Sequence, residues 1–285
     1  MSIGITSFSS QSILLSNRNN INRTAVSTNI KKLSTGFRIN NAADDAAGAA
    51  ITSKLEAEIA AIEQASKNVS NGQSLLSTAE GGLSNISDLL LRARELAVQS
   101  ADASLSATDR QLVNKECSSI VEEVTRVADT TEFNGKKLLN GGLSSSAIDQ
   151  TDIQAGPSGS SSDKINLNVI EGATASQLGI GDTDVATANN AQNAITAIDA
   201  AIDKLSITQA EVGATQNRLS TSTVGSLNTA RSLTAAKSTV KDLDISSEIS
   251  KFRQNQVILA TAIKVTNLAK NSNSSFVGAV LNIKA

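Results

Sequence analysis

Histidine, tryptophan and tyrosine are missing from this chain, and proline, cysteine and methionine occur once each in its 285 residues. Each absence closes a route. Without histidine there is no HExxH zinc-protease motif and no imidazole base to activate a nucleophile. The lone Cys117 can form no internal disulfide. Five phenylalanines, Phe8, Phe37, Phe133, Phe252 and Phe276, give no aromatic interleaving with which basic segments could stack nucleic-acid bases. No apolar run approaches the ~20 residues of a membrane span, and no secretory h-region is seen near Met1. Neither a nucleic acid nor a membrane is therefore an expected partner. The stretch Gly156-Pro157-Ser158-Gly159 lacks the lysine of a phosphate loop. No catalytic residue, metal site or cofactor is expected, and the chain is read as not an enzyme.

Proline breaks helices, so its absence outside Pro157 leaves two long helix-compatible halves around a central insert. Acidic residues are also missing from both ends. The first 43 residues carry Arg18, Arg23, Lys31, Lys32 and Arg38 but no Asp or Glu, and beyond Glu248 there are Lys251, Arg253, Lys264, Lys270 and Lys284 and again no acid. Two solvated basic tails would account for this, and the N-terminal bias alone would suit an organelle transit peptide. The shared chemistry points instead to ends that fold together as one unit.

What is present is small side chains and a long heptad frame. Ile51, Leu55, Glu58, Ile62, Ala65, Val69, Gly72, Leu76, Ala79, Leu83, Ile86, Leu90, Ala93 and Ala97 alternate by four and three. The spacing predicts one helix lying against other helices, roughly 70 Å long at ~1.5 Å per residue. A second stripe, Val113, Cys117, Ile120, Val124 and Val127, makes Cys117 a small buried hydrophobe. Thr108 with Gln111 is the expected capping box of that helix, which should reach about Asp129. A third frame runs through Ile195, Ile198, Ile202, Leu205, Val212 and Leu219, weakening at Gln209 and Gln216. Shorter helices are expected at residues 10–35 and from Ile245 on. Breaks are expected at Gly36, Asn40-Asn41 and Asp242–Asp244, with Asp44 and Asp45 opening the long helix at the positive end of its dipole. Between the halves, Asn134-Gly135 and Asn140-Gly141-Gly142 are turn signals, and Lys164–Ile170 alternates as a strand does. The fold class is mainly α: a long antiparallel helical bundle or coiled coil with a small central β-hairpin region. The near-palindromic order pairs the two terminal helices with each other. Their apolar area is small, so they are expected to be disordered in the free monomer and to order on association.

Several separated motifs resemble bacterial flagellin. They are Leu33-Ser34-Thr35-Gly36-Phe37-Arg38-Ile39-Asn40 with Asp44-Asp45-Ala46-Ala47-Gly48, then Arg92-Ala93-Arg94-Glu95-Leu96-Ala97-Val98-Gln99-Ser100, Thr131-Glu132-Phe133-Asn134-Gly135, and Gly213-Ala214-Thr215-Gln216-Asn217-Arg218-Leu219. The resemblance implies a subunit that polymerises into the flagellar filament used for swimming, an extracellular structure, with export through the flagellum's own channel and no cleaved signal. Residues 1–43 and 243–285 would form the inner-tube coiled coil. Residues 44–242 would form the outer-tube bundle, with hairpins at about 131–182 and no large surface domain. The expected partners are further copies of the chain, an export chaperone, and the cap and hook-associated proteins. The assembly segment, or spoke, would comprise Leu33, Gly36, Arg38, Ile39, Asn40, Asp44 and Asp45. The resemblance also implies a surface for a flagellin-sensing Toll-like receptor of animal hosts, at Arg92, Leu96 and Glu116. A hook-associated junction protein, which shares the terminal helices, is the alternative.

Overall fold

The computed structural model describes residues 2–148 and 150–282; Met1 and Lys284 of the sequence reading lie outside the described residues. Along the chain come α1 (Ser2–Thr35), α2 (Ala46–Ala101), α3 (Ala107–Thr130), β1 (Glu132–Phe133), β2 (Lys136–Lys137), β3 (Asp152–Gln154), a single 3-10 turn (Ser161–Asp163), β4 (Lys164–Asn166), α4 (Ala175–Leu178), α5 (Ala188–Lys241) and α6 (Ile245–Asn282). None of the described helices is long and apolar enough to cross a membrane.

The chain divides into two compact units, Glu58–Ser232 and Met1–Ala57 with Leu233–Ala285. Both boundaries fall inside α2 and α5 rather than at the helix breaks near residues 43 and 243. Within the terminal unit, Glu56 in the first turns of α2 pairs with Lys241 at the end of α5 at 2.8 Å.

In the Glu58–Ser232 unit the heptad frame of α2 is buried from Ile62 to Ala97, with Leu76, Ala79, Leu83, Ile86, Leu90 and Ala97 wholly shielded. Gly72 belongs to that seam because the Ile153 side chain lies where a Cβ would point. The buried face of α3 is Cys117, Val121, Val124 and Ala128, while Val113, Ile120 and Val127 flank it. The seam of α5 is more regular than the apolar residues suggested. Ala191, Ala194, Ile198, Ala201, Leu205, Thr208, Val212, Thr215 and Leu219 are buried at strict 3-4 spacing. Thr208 and Thr215 take the places assigned to Gln209 and Gln216. Their hydroxyls donate back to the Lys204 and Glu211 carbonyls at 3.2 and 2.9 Å, so each presents a methyl and leaves no polar atom unpaired.

Helix ends follow local chemistry. Ser106, not Thr108, caps α3, accepting from the Asp109 amide. Arg110 clamps the end of α2: its guanidinium donates to the carbonyls of Ser100 at 2.8 Å, Leu105 at 2.9 Å, and Asp102. A helix C-terminus leaves its last carbonyls unpaired, and the clamp supplies donors there. The insert forms two antiparallel pairs, β1 with β2 and β3 with β4, the latter in register Ile153 to Ile165. Asn134 and Gly135 both have positive φ, 51° and 77°, the geometry that suits a two-residue hairpin. Leu138, Leu139, Leu143, Leu167 and Ile170 from this region are fully buried against the helices.

Candidate functional site

The motif residues 33–45 lie in the terminal unit, where α1 ends and α2 begins beside the break between α5 and α6. Thr35 is the last residue of α1. Gly36 follows at φ 72°, a left-handed position that a side chain disfavours, and its amide closes the helix onto the Lys32 carbonyl at 2.9 Å. From there the backbone pairs with the α5–α6 break. The Arg38 amide donates to Lys241 O at 2.7 Å and the Leu243 amide to Gly36 O at 3.0 Å, with Phe37 opposite Asp242.

Side chains brace the same crossing. Arg38 donates from Nη2 and Nε to the Val240 carbonyl at 2.8 and 3.3 Å and reaches the Asp45 carboxylate at 3.7 Å. Those contacts satisfy a carbonyl at the end of α5 with a cation, the charge that a helix C-terminus favours. Lys241 sits over the Phe37 ring, 4.7 Å from its centroid, and pairs with Glu56 at 2.8 Å. Glu56 is held below the ordinary carboxylate range by its hydrogen bond from Lys241.

The two aspartates act differently. Asp45 caps α2: its carboxylate accepts from the Gly48 amide at 2.9 Å. Asp44 holds the loop, accepting from the Asn40 and Asn41 amides at 3.0 Å each. Those donors, Asn40 first, lower its pKa. Ile39 is buried, and a Cβ on Gly48 would come within 2.5 Å of both the Ile39 methyl and the Asp45 carboxylate. That approach explains the glycine after Asp44-Asp45-Ala46-Ala47. Asn40 adds a bond from Nδ2 to the Phe37 carbonyl at 3.0 Å. Leu33 is half-buried one turn before the break. Leu33, Gly36, Arg38, Ile39, Asn40, Asp44 and Asp45 thus lie together around one hydrogen-bonded crossing.

On the Glu58–Ser232 unit, Arg92 on α2 pairs with Glu116 on α3 at 2.7 Å and with Glu95 at 3.1 Å, and all three are about half exposed or more. Both carboxylates raise the Arg92 pKa, Glu116 most. Arg94 ties α2 to Asp199 on α5 at 2.6 Å. Leu96 does not join that surface. Its side chain is only 2% exposed and belongs to the core, because its position on α2 faces inward. Within the Glu58–Ser232 unit, the large apolar residues that α2 and α3 expose are Leu91, Val98 and Leu112. Cys117 is buried, and desolvation raises its thiol pKa, the opposite of what a nucleophile needs.

Sequence reasoning missed the polar core of the α1–α6 pair. Asn29 donates to the buried Glu248 carboxylate at 2.5 Å, Asn255 donates to Asn29 Oδ1 at 2.9 Å, and Asn19 donates to Thr266 at 2.8 Å. The signal was asparagine at heptad spacing, Asn22 and Asn29, hidden within a segment that reads as polar throughout.

The family model for the bacterial flagellin N-terminal helical region matches residues 6–143, and that for the C-terminal helical region matches residues 195–277. The flagellin of Halalkalibacterium halodurans is 37% identical over 229 residues, covering 80% of this chain and 82% of that protein. The flagellin of Bacillus subtilis is 35% identical over 271 residues, covering 85% and 88%. Among solved structures, one described as a putative flagellar hook-associated protein of Vibrio parahaemolyticus aligns with TM-score 0.56 at 16% identity, over 69% of this chain and 99% of that one. That likeness concerns the fold alone.

Proposed function

Because this chain belongs to the bacterial flagellin family and is a structural subunit of the extracellular flagellar filament, we propose that its terminal helices make the inner contacts of that polymer and that the crossing at residues 36–45 sets the path between them and the bundle. One observation carries the proposal. Paired helices α1 and α6 expose Ile13, Leu14, Ile21, Ile30, Val257, Ile258, Val265 and Leu268, an apolar surface that a lone subunit would leave in water. A polymer of identical copies needs one surface to meet a different one without closing into a ring, and long stripes on two helices supply such surfaces.

Family resemblance further assigns an export chaperone, the cap and the hook-associated proteins as partners, and export through the flagellum's own channel. It assigns no catalysis, in keeping with a sequence that has no histidine. The exposed Arg92–Glu116 pair is the part of the receptor surface that is open to a Toll-like receptor, while Leu96 lies in the core.

Seeded growth tests the central reading. Full-length chain added to short filament fragments should extend them in electron micrographs, and chains lacking residues 1–40 or 250–285 should not. Normal growth by either truncation, or a full chain that stays monomeric with seeds supplied, overturns it.

A further inference from the structure

Along α1, Leu15, Asn19, Asn22, Val26, Asn29 and Leu33 step by four and three and are all buried or half-buried; along α6, Glu248, Phe252, Asn255, Leu259, Ala262 and Thr266 do the same. A seam so rich in amides, with a carboxylate and a hydroxyl, is weak as hydrophobic glue. Its polar side chains bond across the seam instead, although the buried Asn19 Oδ1 is left without a partner. Asn29 and Glu248 are among the most buried polar residues of the terminal unit, and the Asn29 amide bonds both Glu248 and Asn255. Farther along, Asn19 meets Thr266, whose own hydroxyl donates to the Ala262 carbonyl.

We propose that Asn29, Glu248 and Asn255, with Asn19 and Thr266, are the register-determining residues of the terminal helix pair: they permit one antiparallel alignment of α1 on α6, and that alignment is what a second copy of this chain recognises. A heptad-repeat seam of plain aliphatic residues tolerates slips of about seven residues, because the same pattern returns. Polar seam residues do not, since a slip buries them against the wrong partner. Moving α6 by one heptad in one direction sets Asn19 opposite Leu259 in place of Thr266; Asn29 then stands opposite Glu248 and Asn255 opposite Asn22, so the Asn19–Thr266 pair is what resists that slip. Moving it the other way sets Asn29 opposite Ala262 in place of Asn255 and takes Glu248 a further heptad away from Asn29. Either slip strands a buried polar group, which disfavours it by about ten- to a hundredfold.

The consequence for assembly rests on the reading above that the terminal helices face neighbouring copies. A slip of one heptad displaces the exposed row on α6 by about 10 Å relative to that on α1. The composite apolar surface is then broken: Leu14 and Ile21 no longer stand beside the same stretch of α6. In a lattice of identical copies a misaligned subunit at the growing end offers the wrong surface to the next one, so a minor misalignment has a large effect on growth. Polar seam groups are expected to cost stability while they add this selectivity.

The test replaces the whole cluster with leucine in the full-length chain (N19L/N29L/E248L/N255L/T266L) and reports alignment with a cysteine pair, V26C/L259C, at half-buried seam positions that the Asn19–Thr266 and Asn29–Asn255 bonds set at the same level. Cross-linking is run in a seeded reaction and mapped by peptide mass in both the polymer and the remaining chains. In V26C/L259C alone, the 26–259 link should dominate. With the leucine changes added, its yield should fall several-fold, while the helix content of the chain is kept or raised. Without the cysteine pair, the leucine variant should extend seeds about tenfold more slowly or worse. An undiminished 26–259 link in the leucine variant, loss of its helix content, or normal growth despite scattered links would each overturn the proposal. If the unaltered chain itself failed to extend seeds, the assembly reading would fall, and the link yields would still decide whether the cluster sets the alignment.

Discussion

Arg92 and Leu96 stand one helical turn apart on α2 and do different work. Arg92 points outward into a carboxylate pair with Glu116 and Glu95; Leu96 points into the core that α2, α3 and α5 share. A recognition event can read the first and not the second. Arg92→Asp places a negative charge beside Glu116 and Glu95 while removing no buried contact, so the bundle should lose little stability. Receptor signalling by the purified subunit should drop sharply, and a cell-based reporter would show it. Leu96→Ala should instead destabilise the bundle by about 2–5 kcal/mol through lost burial and a residual cavity, read from denaturant unfolding. Unchanged signalling by Arg92→Asp would remove the receptor assignment. The same contrast holds for Asp44 and Asp45, adjacent carboxylates of which one ties a loop and the other caps a helix. Their position at a helix start was legible from the sequence; their division of labour was not, because it depends on which way each side chain turns.

Helix frames were the most legible level. The seam of α2 from Ile62 to Ala97 could be written down from spacing alone, since one period keeps one face inward along the whole helix. So could the Asn134-Gly135 hairpin, where both residues tolerate positive φ. Elements whose inward face is polar were hidden. The threonines of the α5 seam and the asparagines of the α1 seam look like surface residues until a partner helix or the helix's own carbonyls supply their bonds. The α3 cap was misplaced for a related reason: Thr108-Gln111 and Ser106-Asp109 both fit a capping pattern, and only the backbone shows that Ser106 holds the non-helical conformation. The two kinds of seam should also differ in dynamics. The α2 seam buries leucine and isoleucine, whereas the α1–α6 seam buries amides, and many of the apolar residues on those two helices stay exposed. In the isolated subunit, backbone amides of residues 13–35 should therefore exchange with solvent orders of magnitude faster than those of residues 62–97. Protected, slowly exchanging amides in residues 13–35 of the monomer would contradict it.

At the scale of the whole molecule the chain is two units with unequal cores. The Glu58–Ser232 unit holds the large aliphatic cluster, and the terminal unit holds mostly polar matches. Heating the isolated chain should therefore show one late, cooperative transition from the bundle, with little or no cooperative heat from the terminal unit. Calorimetry of a chain lacking residues 1–40 should retain that transition nearly unchanged; a transition lowered by the truncation would show that the terminal helices support the bundle's folding.

Composition and spacing alone established that this is a helical design with paired ends, since heptad periodicity and the scarcity of proline act locally, within a few turns of one chain segment. They also carried the family resemblance. Which residues close the core, which charges meet across helices, and which asparagines bond between α1 and α6 emerged only when segments far apart in the chain came together. Hydrogen bonds and burial between such segments depend on distance in space, and nothing in a linear period encodes that.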